Sequence, residues 1–144
     1  MSPVELLHRE TSEAIIRSFF HTYNRLGMGF LESVYQRALA LELRINGHGV
    51  IEEAPVTVYY RGMVVGHFRS DLLVDNTVML ELKAAKRIHS RHYLQLHNAL
   101  RASTVELGLL LNFGLKPEFK RIILMNHHKP KLETLAEPIR ALPR

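Results

Sequence analysis

Arg69-Ser70-Asp71-Leu72-Leu73-Val74-Asp75-Asn76-Thr77-Val78-Met79-Leu80-Glu81-Leu82-Lys83 is the stretch on which the fold turns. Side chains alternate across a β-strand, and a strand buried on both faces is apolar throughout. Val78, Leu80 and Leu82 form one apolar face, so 78–83 reads as a buried strand. The same period puts Glu81 and Lys83 side by side on the other face. Two charges at the end of such a strand cost free energy unless they are paired or bind something. Asp71 precedes Glu81 by ten positions. An acid followed by Glu-x-Lys on a strand is the residue set that metal-dependent phosphodiester cleavage needs. Two carboxylates hold a divalent cation, and a lysine positions the attacking water or stabilises the charge that builds on phosphorus.

Counting tests whether Asp71 and Glu81 can meet. In an antiparallel hairpin, opposite residues have a constant sum of positions, so Asp71 faces Glu81 only across an odd loop. Asp75-Asn76-Thr77 supplies three residues, and Asn tolerates the left-handed region such loops use. A two-residue Asp75-Asn76 turn is the other register. It sends the two acids to opposite faces unless a bulge corrects it.

A chain of 144 residues is expected to form one domain with a single core. The expected division is a nuclease-like unit over 1–125 and a tail over 126–144, a short helix or partly disordered. No apolar run reaches membrane-spanning length, and Met1–Glu13 lacks a signal-peptide core. With no cysteine, disulfides, thiolate catalysis and zinc–thiolate sites are excluded. These features point to a cytoplasmic protein without a membrane partner. The net charge of +5 suits a polyanion.

Period and breaker residues give the elements. A helix is expected from Glu5 to Tyr23, broken at Gly27-Met28-Gly29. A second helix runs from Leu31 to Ile45, with Leu31, Val34, Tyr35, Ala38, Leu41 and Ile45 facing inward, ended by Asn46-Gly47-His48-Gly49. Strands follow at Val56–Tyr60, Met63–Val74 and Thr77–Lys83, with a turn at Arg61-Gly62. A helix at Ser90–Ala102 precedes strands at Val105–Asn112 and Phe119–Met125. Gly29, Glu32 and Tyr35 recur every three residues and share a stripe. Glu32 serves either as a first-turn glutamate that favours a helix N-terminus or as a group facing a cation.

The run Gly29-Phe30-Leu31-Glu32-Ser33-Val34-Tyr35 resembles the signature of the GxxExxY protein family, a branch of the PD-(D/E)XK nuclease-like superfamily. The resemblance continues through Leu39–Leu43, the Asp71 strand and Glu81-Leu82-Lys83. Beyond these it takes in Gln95-Leu96, Leu109–Gly114 and Phe119–Ile123, and so spans about residues 5 to 125. It implies an α/β, restriction-endonuclease-like fold: a mixed central sheet with an αβββαβ core and flanking helices. It also implies that Glu32, Asp71, Glu81, Lys83 and Gln95 converge as catalytic residues. Relatives of the RecB and phage-exonuclease type carry a tyrosine four residues after the glutamine. This chain has Ala99 there, which removes a ring that would brace Gln95.

Hard carboxylate oxygens on Asp71 and Glu81 suit Mg²⁺ or Mn²⁺, with Glu32 as a further metal ligand to a second ion or through water. The segment Lys83–Tyr93 is dense in cations. Lys86, Arg87 and Arg91 are expected to track a nucleic-acid backbone and Tyr93 to stack on a base. A solvated basic loop and a half-buried tyrosine are the plainer readings of the same residues. His127-His128 reads as a surface pair, and neither His67 nor His92 has a sequence partner for catalysis. The expected activity is Mg²⁺-dependent hydrolysis of phosphodiester bonds in DNA, with RNA served equally by these residues. The alternative is a non-catalytic nucleic-acid-binding or protein-assembly module on the same fold. Self-association or a partner protein is a further expectation, because so small a nuclease core often needs one.

Overall fold

The hairpin adopts the three-residue register. Strands β2 (Met63–Val74) and β3 (Val78–Lys83) pair antiparallel, with Leu72 opposite Leu80, Leu73 opposite Met79 and Val74 opposite Val78. Asp75 and Asn76 both take left-handed backbone, with φ of 51° and 57°. The Asp75 carboxylate supports that turn by accepting the Gly49 backbone N–H at 2.8 Å and meeting His48 Nδ1 at 2.8 Å.

The computed structural model describes residues 2–129, so the expected tail beyond 129 lies outside the described residues. The elements are α1 (Pro3–Leu6), α2 (Arg9–Leu26), α3 (Glu32–Ile45), β1 (Val50–Tyr60), β2, β3, α4 (Ser90–Arg101), β4 (Leu107–Phe113) and β5 (Pro117–Ile123), then a 3-10 turn, Asn126–His128. The sheet runs β1-β2-β3-β4-β5. All neighbours are antiparallel except β3 and β4, which are parallel. A parallel pair needs a crossover, and α4 supplies it. The order α3-β1-β2-β3-α4-β4 is the expected αβββαβ core, with β5 added at the edge. No helix among the described residues is long and apolar enough to cross a membrane.

Helices cover both faces, which is why every residue of β4 is buried. On one face Ile15 and Phe19 of α2 and Tyr35, Leu39 and Leu43 of α3 pack on Leu80, Leu109 and Phe113. On the other, Leu96, Ala99 and Leu100 of α4 pack on Val56, Met79 and Leu110. Phe113 centres the first layer, stacked on Tyr35 at 4.3 Å and edge-on to Phe19 at 4.8 Å.

Several boundaries differ from the expectations above. His8 takes left-handed backbone (φ 46°) between α1 and α2, so the first helix is two. Strand β1 begins at Val50, six residues before the expected start, because pairing with β2 carries Glu52-Glu53-Ala54-Pro55 into the sheet. The inward face of α3 is corrected most. Tyr35 is buried as expected, but Leu31, Leu41 and Ile45 are 76%, 60% and 68% exposed. Val34 is also exposed, and the buried stripe is Tyr35, Leu39 and Leu43. Helix α3 carries two apolar stripes, and the stack of Tyr35 on Phe113 selects one of them.

Strands β1 and β2 also turn over. Val50, Leu72 and Val74 pack in the α2–α3 layer, whereas Val56, Val58 and Phe68, of the same parity, pack in the α4 layer. The change of face falls between 51 and 55 on β1, where Glu53 has φ 52°, and between 69 and 71 on β2. The outer half of the ribbon therefore curls toward α4.

The Tyr35 hydroxyl donates to the Gly27 carbonyl at 2.5 Å and accepts the Phe30 N–H at 3.2 Å. This pins the loop ahead of α3, in which Gly29 has φ 107°. Tyr35→Phe keeps the ring stack but loses both bonds. It should lower stability by about 1–2 kcal/mol, read in urea as a lower midpoint at unchanged slope.

Candidate active site

The β2–β3 ladder stops at Leu72 and Leu80. One step further, Asp71 would face Glu81. Instead the Asp71 carboxylate reaches across and accepts the Leu82 backbone N–H through Oδ2 at 2.7 Å. The Glu81 carboxyl lies against the Asp71 backbone N–H and the Asp71 carboxyl, close enough for both to shift its titration. The parity argument for one shared face is therefore met.

Both acids are half-buried, and loss of hydration is the main influence that raises each of them. Glu81 is pushed up to about 8 by that burial and by the Asp71 charge, against the pull of Lys83. Asp71 is raised too, opposed first by the Leu82 N–H. Near neutral pH the pair keeps a proton between its carboxyl groups. No salt bridge among the described residues engages either acid or Lys83.

Lys83 ends β3 opposite Asn112 of β4. Asn112 is fully buried and holds the next loop at both polar groups. Its Oδ1 accepts the Ala85 N–H at 3.0 Å and its Nδ2 donates to the Ala85 carbonyl at 2.9 Å. That carbonyl lies so near Gly114 that any Cβ there would collide with it. The loop carrying Lys86 and Arg87 thus leaves the site from a fixed point. Gln95 lines one cleft with Glu81 and Lys83, about 650 Å³ in volume, between α4 and the outer β1–β2 ribbon.

Glu32 stands exposed as the first residue of α3, near enough for its charge to raise Asp71. Glu53 was not anticipated. It lies between the pairs Glu52–Leu72 and Ala54–Ser70, hence beside Asp71, and its charge raises Asp71 more than that of Glu32. Its carboxylate accepts the Gln36 side-chain amide at 3.0 Å. Its signal was the pair Glu52-Glu53 ahead of β-branched residues, which only the β1 register ties to Asp71. Arg69, Asn98 and Arg101 also line the cleft without having been singled out. Asn98 and Arg101 follow Gln95 at three-residue steps on one helix face.

Lys86, Arg87 and Arg91 are exposed. Tyr93 is not brought to the cleft: it is half-buried in the α4 layer and lines a separate hollow with His97 and Arg121. His92 is buried, and its Nδ1 accepts the His89 N–H at 3.1 Å as a helix cap. Burial, then the Lys83 charge, lowers its pKa.

Among the described residues no three His, Cys, Asp or Glu side chains gather into a metal-holding group. The residues that could hold a cation are the Asp71–Glu81 pair: hard oxygens, half-buried, mutually repulsive when ionised. Such a pair fits Mg²⁺ or Mn²⁺, which bind through one or two carboxylates and keep several waters.

The family model of the PD-(D/E)XK nuclease superfamily matches residues 9–122, from the start of α2 into β5. The chain belongs to that superfamily. Comparisons with curated proteins and with solved structures gave no match.

The raised acids fix the direction of pH dependence. Unfolded Glu81 gives up its proton near 4.5, whereas the folded protein holds it to about 8. The folded state thus binds more protons across this window, and stability falls as pH rises through it. In chelator, Glu81→Gln should flatten that decline and exceed wild type at pH 8 by about 1–3 kcal/mol, measured by urea unfolding. Millimolar Mg²⁺ or Mn²⁺ should raise the melting temperature of wild type. Asp71→Asn should lose that shift while its circular dichroism spectrum stays native.

Proposed function

We propose that this chain is a metal-dependent nuclease that hydrolyses phosphodiester bonds in DNA. The observation that carries this reading is the half-buried, adjacent Asp71–Glu81 pair, with Glu81 and Lys83 lining an open cleft. Superfamily membership supports a nuclease-type function. A binding module that kept these acids for structure would close them with salt bridges. None among the described residues does so.

Asp71 and Glu81 would hold the cation, with Asp71 aimed by the Leu82 N–H. Bound there, a divalent ion neutralises phosphate charge and acidifies water. Lys83 extends from the same strand face and serves the reaction electrostatically, orienting the incoming water and stabilising charge on the phosphoryl oxygens. Water adds to phosphorus as the bond to the leaving oxygen breaks, and that oxygen takes up a proton. Gln95, on α4, orients water or phosphate across the cleft. Glu32 and Glu53 keep the field around Asp71 negative, which favours cation capture. Lys86, Arg87 and Arg91 hold the flanking phosphates without reading sequence.

Assayed on linear, circular and single-stranded DNA with Mg²⁺ or Mn²⁺, the protein should cut at least one of the three. Asp71→Asn and Lys83→Ala should each lower the rate by about 100-fold or more, with Lys83→Ala affecting cleavage far more than binding. Joint replacement of Lys86 and Arg87 by alanine should weaken binding to all sequences alike and reduce the salt slope by about 1–2. Binding without cleavage of any of these substrates, with either metal, would refute the enzymatic reading.

A further inference from the structure

The cleft extends beyond the groups assigned to chemistry. Val58 and Phe68 line it from the curled ribbon, Arg69 stands beside them, and Asn98 and Arg101 project from α4. Phe68 is half-buried: part of its ring packs in the α4 layer, and the rest is open to the cleft. Arg69, Asn98 and Arg101 are exposed, and none of their side chains has a hydrogen-bond or ion-pair partner among the described residues. An apolar wall with one aromatic ring, one free amide and two free guanidinium groups thus share a hollow of about 650 Å³, a size that holds a small organic ligand.

These groups select a chemistry. The ring and Val58 offer a flat apolar surface, the amide offers a donor and an acceptor in one plane, and the guanidinium groups offer forks for phosphate oxygens. The ligand that uses all three is a planar heterocycle carrying phosphates. Within a duplex both faces of a base are covered by its neighbours. An unpaired base has a free face that can stack on an aromatic side chain. We infer that this half of the cleft, formed by Phe68, Val58, Asn98, Arg69 and Arg101, is a subsite for an unpaired nucleotide next to the phosphate at Glu81 and Lys83. The substrate is therefore a single strand or an unpaired end rather than internal duplex. The base subsite stands on the cleft alone, and the word substrate rests on the proposed nuclease function.

The test uses the full chain in chelator, where nothing is cut. Fluorescence anisotropy compares a short single-stranded DNA, the RNA of the same sequence and a duplex dumbbell closed at both ends. A 2-aminopurine base in the DNA strand reports stacking. Wild type should bind the DNA strand at least about tenfold more tightly than the dumbbell and change the 2-aminopurine emission. Phe68→Leu keeps apolar bulk against the core but loses the ring. It should bind the single strand about 5- to 100-fold more weakly and lose the emission change, and Phe68→Tyr should restore both. Arg101→Ala should lower the single-strand salt slope by about one contact.

Equal affinity for strand and dumbbell, or a Phe68→Leu variant that binds like wild type, would overturn the subsite. Tighter binding of RNA than DNA would keep the subsite and assign its nucleotide to RNA. Adding Mn²⁺ to parallel samples separates the two proposals. Cutting without strand preference removes the subsite and leaves the nuclease, whereas preference without cutting removes the nuclease and leaves the subsite.

Discussion

The reach of the Asp71 carboxylate to the Leu82 N–H is the contact on which the site depends. It falls where two neighbouring strands stop exchanging backbone hydrogen bonds. Past Leu72 and Leu80 the ladder ends, and a buried N–H left there would cost about 1–3 kcal/mol. Asp71 satisfies it and is aimed by it. In the same stretch β1 and β2 change faces, with Glu53 in left-handed backbone. Loss of pairing, turning of the ribbon and convergence of acids are thus one local event. The curl that follows sets the outer ribbon against α4 and opens the cleft between them.

Placing acids at this point weakens the fold in the absence of a cation. Burial raises both; the Asp71 charge helps push Glu81 up to about 8, and the Glu53 and Glu32 charges raise Asp71. An apolar pair at these positions would be the more stable choice, so the acids are a cost borne by the rest of the core. That core is a sheet covered on both faces, with Phe113 at its centre against Phe19 and Tyr35. Under the proposed function the same repulsion favours cation capture, because an ion that relieves it would gain binding energy from the relief.

Two buried polar side chains connect this core to the edges of the site. Tyr35 ties the loop before α3 through its hydroxyl and thereby sets where Glu32 begins the helix. Asn112 clamps Ala85 at both backbone groups and sets where the basic loop departs. Neither side chain bonds to Asp71, Glu81 or Lys83; each acts through the backbone it holds. Both convert packing of the α2–α3 layer and of β4 into fixed positions for charged groups at the rim.

Local periodicity made the hairpin legible, with its apolar face over 78–83, but left two registers open. The structure takes the three-residue turn, and pairing parity then sets Asp71 and Glu81 on one face with Lys83. The αβββαβ order followed from alternating periods and from motifs distributed along the chain. Tertiary structure decided what depends on partners distant in sequence. It chose which of two apolar stripes of α3 is buried, because the stack of Tyr35 on Phe113 is invisible to helical spacing. It drew Glu52-Glu53 into β1 and set Glu53 beside Asp71, since polar residues read as a loop until a neighbouring strand claims them. It turned Tyr93 away from the cleft, and it brought Arg69 and Phe68 opposite Asn98 and Arg101. Spacing within one element is local geometry, whereas the curl of a ribbon toward a helix is set by the packing of the whole sheet.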